Sequence, residues 1–238
     1  MAVVFRYFDA QGRAQALRHA LSDTGLSFED VRVTIATWPT HREDPSFGGW
    51  FASLPTLTWD TDTVSETLSI ASYVARRSGH YDGLGAGEIA KLEGVVSCCY
   101  LDVVRCLADV VWAPVLYPGA DVATTTPRLL RGSVGKLARL SALLPDGDGS
   151  VWLGGARPTV ADFFLAEAVE TMRYVLGPVR DAELRNLVPR AFAHAERMRA
   201  LPSLTVAWET RPPRLTASPD EPAALERVRG YDLSNIGL

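Results

Sequence analysis

The sequence predicts a small α/β domain followed by a larger all-helical domain. Over the first eighty residues, short apolar runs that suit strands alternate with helical stripes. A glycine-rich segment, residues 79–87, comes next and is typical of a linker. Beyond it, apolar residues recur at helical spacing in four long stretches. These three observations together predict two domains of different class.

The first three elements predict a β-α-β unit. Residues 2–8 form a short apolar and aromatic run, which is typical of a buried strand. From Gly12 to about Thr24 the apolar residues follow a helical stripe, and Gly25 lies where a helix is expected to end. Residues 28–35 then predict a second strand. A β-α-β order usually means a parallel pair of strands with a right-handed crossover.

The second half of this domain predicts a hairpin and a helix. A loop rich in tryptophan, proline and glycine, residues 37–50, leads into it. Residues 54–60 predict a strand and residues 63–65 a short return strand. Residues 66–78 then predict a helix that ends at Gly79. The expected order is therefore β-α-β-β-β-α.

Four long helices are expected in the second domain. The third has the clearest start, because Thr159 is placed to cap the helix and Asp162 lies three residues on, as in a capping box. We interpret this pair as a folding feature and not as a catalytic pair. The predicted helices cover residues 87–115, 125–143, 159–175 and 181–200.

A tail follows the last of these helices. Its Arg-Pro-Pro sequence, residues 211–213, predicts extended chain leaving the helical bundle. Ser218, Pro219 and Glu221 then predict the start of a short helix. The expected division is residues 1–78, residues 87–210 and a tail of residues 211–238.

Composition excludes several classes of protein. The chain has 238 residues, 47% of them hydrophobic, which is too apolar for a disordered chain. Its formal charge of −4 argues against nucleic acid and anionic membrane as main partners. No uncharged apolar run is long enough for a membrane span, and the N-terminus lacks a signal-peptide core. We therefore expect a cytoplasmic protein.

The cysteines and histidines predict neither a disulfide scaffold nor a metal site. The three cysteines are an odd number without a C-x-x-C pair. The expected interpretation of these cysteines is as small buried hydrophobic residues. The four histidines show no metal-ligand spacing, so no metal is expected. The cysteines are Cys98, Cys99 and Cys106, and the histidines are His19, His41, His80 and His194.

Five motifs, in the correct order, resemble those of the cytosolic glutathione transferases. The segment from Tyr7 to Gln15 (YFDAQGRAQ) resembles the Y-F-x-x-R-G-R-A-E motif of the sigma class, which includes prostaglandin D synthases and S-crystallins. The other four are Trp38-Pro39, Leu54-Pro55-Thr56-Leu57, Glu66-Thr67-Leu68-Ser69-Ile70 and Thr159-Val160-Ala161-Asp162. The resemblance covers about residues 2–208. It implies a thioredoxin-like N-terminal domain, an all-helical C-terminal domain and a homodimer.

The resemblance implies that Tyr7 and Arg13 are catalytic. Glutathione is a thiol with a pKa of about 8.5, so a transferase must stabilise the thiolate. A phenol hydroxyl that donates to the sulfur favours the charged form, and a nearby guanidinium adds a positive field. From the residues alone, the favoured interpretation of Tyr7 is an ordinary strand aromatic packed in the core. Arg13 is equally a solvated charge, although a cation at a helix start opposes the helix dipole.

Seven further residues are implied to bind the tripeptide. Trp38 and Arg42 would hold its glycine end, and the backbone of Leu54, before a cis Pro55, would pair with it. Glu66 and Thr67, at a helix start, would take the γ-glutamyl group. Without the resemblance, Trp38 is also explained as a tryptophan that packs locally and Arg42 as a surface arginine. Glu66 and Thr67 are then explained as a helix start capped by Ser65.

Four positions are the main departures from the family pattern: Ser53, Glu66, Thr67 and Ser97, with Glu66 and Thr67 in place of the more usual Gln-Ser. Ser53 stands where the family often has Gln or Lys, so one contact to the tripeptide is expected to be missing. Ser97 lies near the position where sigma-class relatives have an aspartate. In those relatives the aspartate reaches the glutathione of the partner subunit, so this contact is in doubt here.

Three functions stay open at this point. The first is a transferase that joins the glutathione thiolate to a hydrophobic electrophile. The second is an isomerase or biosynthetic enzyme that uses glutathione as a cofactor. The third is a non-catalytic binding or structural protein on the same scaffold. The tail is expected to fold back over the apolar pocket.

Overall fold

A computed structural model of the chain describes residues 2–105, 110, 122–145, 151–214 and 221–230. Cys106, Ser218 and Pro219, which the sequence analysis considered, lie outside the described residues. The fold has a small mixed sheet with helices in its N-terminal part and a helical C-terminal region. The predicted fold class is therefore confirmed.

A four-stranded sheet organises the N-terminal part. The strands lie in the order β2-β1-β3-β4. β1 and β2 are parallel, as the β-α-β order predicted, while β3 is antiparallel to both β1 and β4. The hairpin of β3 and β4 is also as predicted. The strands are β1 (Val3–Phe8), β2 (Glu29–Val33), β3 (Thr56–Trp59) and β4 (Asp62–Ser65).

Three α-helices accompany the sheet. The first begins three residues later than predicted, because Gly12 has a φ of +39° and cannot belong to a right-handed helix. The last two begin at Pro45 and Thr67. The helices are α1 (Gln15–Asp23), α2 (Pro45–Gly48) and α3 (Thr67–Arg77).

Apart from an isolated bridge between Trp152 and Gly155, the regular elements of the described C-terminal region are helices. A π-helical segment, Cys99–Val104, continues directly from the first long helix. The helices are α4 (Ala86–Cys98), α5 (Val122–Leu143), α6 (Val160–Leu176), α7 (Asp181–Leu187), α8 (Pro189–Arg199), α9 (Thr205–Glu209) and α10 (Glu221–Arg229).

Two of the long helices were predicted wrongly. The stretch 87–115 is not one regular α-helix, since the π-helical segment replaces it after Cys98. The stretch 181–200 is two helices, because Pro189 lacks the backbone N–H that a continuous helix needs. Val188, between them, has a φ of −131° and a ψ of 54°, which ends the first helix.

Helix α6 forms the centre of the molecule, since 15 of its 17 residues are buried. It contacts α1 on one side and α4, α8 and the π-helical segment on others. Its N-terminus has the predicted capping box: the Asp162 carboxylate accepts hydrogen bonds from the Thr159 backbone N–H and hydroxyl, each at 2.8 Å. The folding interpretation of this pair is therefore confirmed.

Candidate active site

Tyr7 lies near the end of β1, where alternate side chains point into the core. Its side chain is 7% exposed, and its hydroxyl accepts a hydrogen bond from the Arg13 backbone N–H at 3.2 Å. Burial raises the pKa of Tyr7, while the Arg13 N–H and the charges of Arg13 and Arg18 oppose that rise. The phenol therefore keeps its proton at neutral pH. No described residue accepts that proton.

The turn after β1 lies close to this hydroxyl. Gly12 has a φ of +39°, and a Cβ atom there would lie 2.8 Å from the Tyr7 hydroxyl oxygen. Only glycine fits such a position without strain. The next residue, Arg13, has an exposed side chain that makes no ion pair within the described part of the chain. The turn thus places one backbone donor and one free cation beside a single phenol.

Arg18 supports the same turn, and the sequence analysis missed it. The side chain is 3% exposed, and its Nε donates to both oxygens of Asp30 at 3.0 Å. Its Nη1 donates to the Ala10 carbonyl at 2.8 Å, and the guanidinium lies 5.9 Å from the centre of the Tyr7 ring. The available indication was its spacing, because Arg18 falls four residues after Ala14 on the apolar stripe of α1.

Trp38 reaches the Tyr7 region through an aromatic contact, whereas Arg42 does not. Trp38 is half-buried and meets Phe8 edge to face at 5.9 Å, and Phe8 meets Tyr7 at 5.5 Å. Arg42 is exposed, and its Nε pairs with the Glu43 carboxylate at 2.7 Å. The structure therefore brings Trp38 to the end of β1 and leaves Arg42 on the surface.

Ser53 and Glu66 meet at the start of α3. The Ser53 hydroxyl donates to a Glu66 carboxylate oxygen at 3.1 Å. Glu66 itself is exposed and has a φ of +73°, a conformation that non-glycine residues rarely adopt. The Leu54–Pro55 peptide bond is cis, as the resemblance implied, and both residues are buried. These four predicted residues are thus brought together by the chain.

The N-terminus of α3 lacks a side-chain cap. The expectation that Ser65 caps this helix is wrong, because Glu66 occupies the N-cap position and its side chain makes no capping hydrogen bond. The following residue, Thr67, is buried, and its hydroxyl has no hydrogen-bond partner among the described residues. A buried hydroxyl without a partner is unusual. Together with free amide groups at a helix start, it suits a carboxylate ligand.

The residues after Thr210 cross the turn that carries Arg13. The Gln11 side-chain amide donates to the Pro212 carbonyl at 2.7 Å. The backbone N–H groups of Gln11 and Gly12 donate to the carbonyls of Pro213 and Arg214, at 2.8 and 3.1 Å. The sequence predicted extended chain here and a tail that folds back over the apolar pocket, but it did not predict these hydrogen bonds to the turn after β1. Gln11 was therefore also missed.

The environments of the described cysteines and histidines indicate structural roles for these residues. Burial raises the pKa of the Cys98 and Cys99 thiols, so neither is an activated nucleophile. His19 is buried, and that burial with nearby arginines lowers its pKa to about 3. His41 stacks on Phe47 at 4.5 Å. Ser97 is half-buried and lines a cavity between α3 and α4.

The described residues have neither a metal-binding cluster nor a membrane-spanning helix. They contain no group of three or more His, Cys, Asp or Glu side chains that could hold a metal ion. Among the same residues, every helix is too short or too polar for a membrane span.

The helical region matches a known family. Residues 123–217 match the family model described as the glutathione S-transferase C-terminal domain. Among curated proteins, the hematopoietic prostaglandin D synthase of Gallus gallus is 27% identical over 219 residues, which cover 87% of this chain and 94% of that protein.

Solved structures share the whole fold. A Nu-class glutathione transferase from Haemonchus contortus is 27% identical with a TM-score of 0.67, over 91% of this chain and 98% of that one. A monomeric glutathione S-transferase from Necator americanus is 24% identical with a TM-score of 0.72, over 89% and 98% of the two chains. The family match, the relative and the shared fold together make this chain similar to the glutathione transferases.

Proposed function

We propose that the chain binds glutathione with its sulfur at the Tyr7 hydroxyl and transfers the thiolate to a hydrophobic electrophile. The environment of Tyr7 is the observation that supports this most. Its oxygen already accepts from the Arg13 N–H, its raised pKa keeps the proton on, and that proton is not used within the described residues. The hydroxyl is therefore ready to donate to an anion.

In the proposed reaction, Tyr7 acts as a hydrogen-bond donor and stays protonated. The thiol proton is released to solvent, and the thiolate sulfur forms a bond to an electrophilic carbon. The electron pair displaced from that carbon leaves with a leaving group or is protonated by water. A donor fixed in a buried site stabilises the anion without reorganisation. The positive field of Arg13 acts in the same direction.

The rest of the tripeptide would lie between Trp38 and the start of α3. We propose that the Thr67 hydroxyl and the amide groups beside it bind the γ-glutamyl carboxylate, and that Glu66 accepts from the ammonium. The Leu54 backbone would pair with the tripeptide as an added strand does. Arg42 would have to exchange Glu43 for the glycine carboxylate. This contact is the one that the described geometry favours least.

A binding experiment tests the proposal directly. Glutathione is titrated into the protein by calorimetry, and the ultraviolet absorbance of the bound thiolate is followed against pH. We expect a dissociation constant below about 1 mM. The pKa of the bound thiol should be lower than its usual value of about 8.5. An unshifted thiol would contradict the role of Tyr7. A complete lack of binding would instead favour the non-catalytic alternative.

An isomerase is the second candidate, because the Gallus gallus relative is named a prostaglandin D synthase. In that case glutathione would act as a cofactor and would be recovered unchanged. Conjugates of glutathione among the products would support the transferase, and turnover without consumption of glutathione would support the isomerase.

The oligomeric state, the cellular location and the domain boundaries of the chain are proposals. The resemblance implies a homodimer, but a monomeric structure is among the structural neighbours. A cytoplasmic location and the division into residues 1–78, 87–210 and 211–238 are proposed on the sequence arguments given above.

The tail is expected to support the site. Removing residues 211–238 deletes three hydrogen bonds to Gln11 and Gly12, and also the buried Leu225 and Val228 of α10. At roughly 1 kcal/mol for each hydrogen bond, the three bonds account for about 3 kcal/mol of unfolding free energy, and the loss of the two buried side chains adds to this cost. Turnover should fall as well, since the Arg13 turn is loosened.

Denaturant unfolding and steady-state kinetics measure both effects. The matched comparison is Gln11→Ala, which removes the side-chain hydrogen bond to Pro212 and should cost about 1 kcal/mol. A truncated chain with unchanged stability, substrate range and affinity would show that the tail does not support the site.

A further inference from the structure

A cavity of about 540 Å³ lies where the tail crosses the C-terminal end of α6. Its walls come from α6, α8, the start of α7 and the segment before it, the tail, and Gln11 of the turn after β1. None of the nine residues predicted to bind or activate glutathione lines it. Four arginines do: Arg173, Arg199, Arg211 and Arg214.

Two carboxylates in the wall are already occupied. Asp181 accepts from the Nε and Nη2 atoms of Arg173, at 2.7 and 3.3 Å. Glu170 is shared, with one oxygen accepting from Arg173 at 3.0 Å and the other from Arg199 at 2.6 Å. Neither of these two acids hydrogen-bonds to Arg211 in the described part of the chain, although the charge of Glu170 favours the charged form of Arg211.

Two guanidinium groups lie around one indole ring: that of Arg199, which also pairs with Glu170, and that of Arg211. Arg214 pairs with Glu167, which is buried beneath it. Arg211 forms no ion pair within the described part of the chain. Its guanidinium lies 5.3 Å from the centre of the Trp208 ring, and that of Arg199 lies 5.1 Å from the same ring. Burial and the charges of Arg214 and Arg199 lower the pKa of Arg211.

We propose that this cavity is a separate binding site for a small anion with at least two negatively charged oxygens, held by Arg211 and Arg199 beside Trp208. The planar guanidinium presents paired donors that match phosphate and carboxylate oxygens. Such an anion would supply the counter-charge that Arg211 lacks. The cavity volume suits a phosphorylated or polycarboxylate molecule and not a macromolecule.

Calorimetry with inorganic pyrophosphate and the full-length protein tests this site. We expect binding with a dissociation constant below about 1 mM at low ionic strength. Arg211→Gln should weaken it by about tenfold or more, because a charge-assisted pair is lost. The matched control is Arg185→Gln. Arg185 is also an exposed arginine stacked on an aromatic ring, at 4.7 Å from Phe192, but it lies outside the cavity.

Folding and specificity are checked alongside. Arg211→Gln relieves repulsion between like charges, so its melting temperature without ligand should equal or exceed that of the wild type. Arg211→Lys keeps the charge without the paired donors and should bind with intermediate affinity. Citrate in place of pyrophosphate distinguishes a polycarboxylate ligand from a phosphate, and either one supports the site.

Four outcomes would overturn the proposal. They are no binding of either anion by the wild type, unchanged affinity in Arg211→Gln, an equal loss in Arg185→Gln, and competition by saturating glutathione. The last would place the anion in the glutathione site, while the binding test of the proposed function would be unaffected by any of the first three.

Discussion

Replacing Tyr7 by phenylalanine is expected to lower turnover with glutathione by about 100-fold at neutral pH, the usual cost of removing one donor to a reacting anion. The change deletes one oxygen and keeps the ring that packs against Phe8. Affinity for glutathione should change little, because the proposed contacts at Trp38, Leu54 and Thr67 are untouched. The loss should therefore fall on kcat.

The pH dependence of this loss follows from the thiol. The Tyr7 hydroxyl favours the thiolate, so it lowers the pKa of bound glutathione, and its removal returns that pKa toward about 8.5. Below this value the variant holds less thiolate than the wild type. Above it both hold the thiolate, so the defect should shrink as the pH rises. Steady-state rates from pH 6 to about pH 9 measure this trend.

Tyr81→Phe is the matched control. Tyr81 is also a buried tyrosine, and its hydroxyl has no hydrogen-bond partner among the described residues. Its removal should leave turnover unchanged and stability equal or slightly higher, since an unsatisfied buried hydroxyl is lost. Equal rates for Tyr7→Phe and the wild type at every pH would mean that another group ionises the thiol.

Replacing Asp162 by alanine is expected to cost about 3–5 kcal/mol of unfolding free energy, because it leaves buried donors without a partner. The carboxylate is fully buried and accepts from Thr159 and from the Leu153 N–H, at 2.8 and 3.0 Å. It thereby joins the start of α6 to the preceding loop. Since domains of this kind are stable by only about 5–15 kcal/mol, much of the stability should be lost. Denaturant unfolding measures it.

Glu88→Ala provides the comparison for Asp162. Glu88 occupies the same position in the capping box of α4 and accepts from the Gly85 N–H at 2.8 Å, but it is exposed. Water can replace its hydrogen bond, so the cost should be about 1 kcal/mol or less. Similar losses of unfolding free energy in the two variants would show that burial does not determine how much the Asp162 capping box stabilises the protein.

Local patterns predicted the sheet and most helices because those elements depend on nearby residues. The short apolar and aromatic run of residues 2–8 predicted β1, and the later apolar runs predicted the parallel pair and the hairpin. The break at Pro189 was missed because the apolar period continues across it. The π-helical segment after Cys98 has no comparable sequence pattern.

Residues of the candidate site could be predicted only where they belong to a recognisable sequence motif or turn. The resemblance named Tyr7, and its hydroxyl does meet the Arg13 backbone. Arg18 was missed because a buried arginine is rare, so its position on an apolar stripe was not weighed. The cavity arginines come from helices and tail residues that are far apart in sequence, and no local pattern records that they converge.

The crossing of the tail over the Gln11–Gly12 turn also bears on when the protein becomes competent during its synthesis. The Gln11 side chain bonds to a carbonyl 201 positions later. Because chains are made from the N-terminus, β1 and Tyr7 leave the ribosome long before that partner exists. The turn beside Tyr7 can therefore take its final form only once nearly the whole chain has been translated.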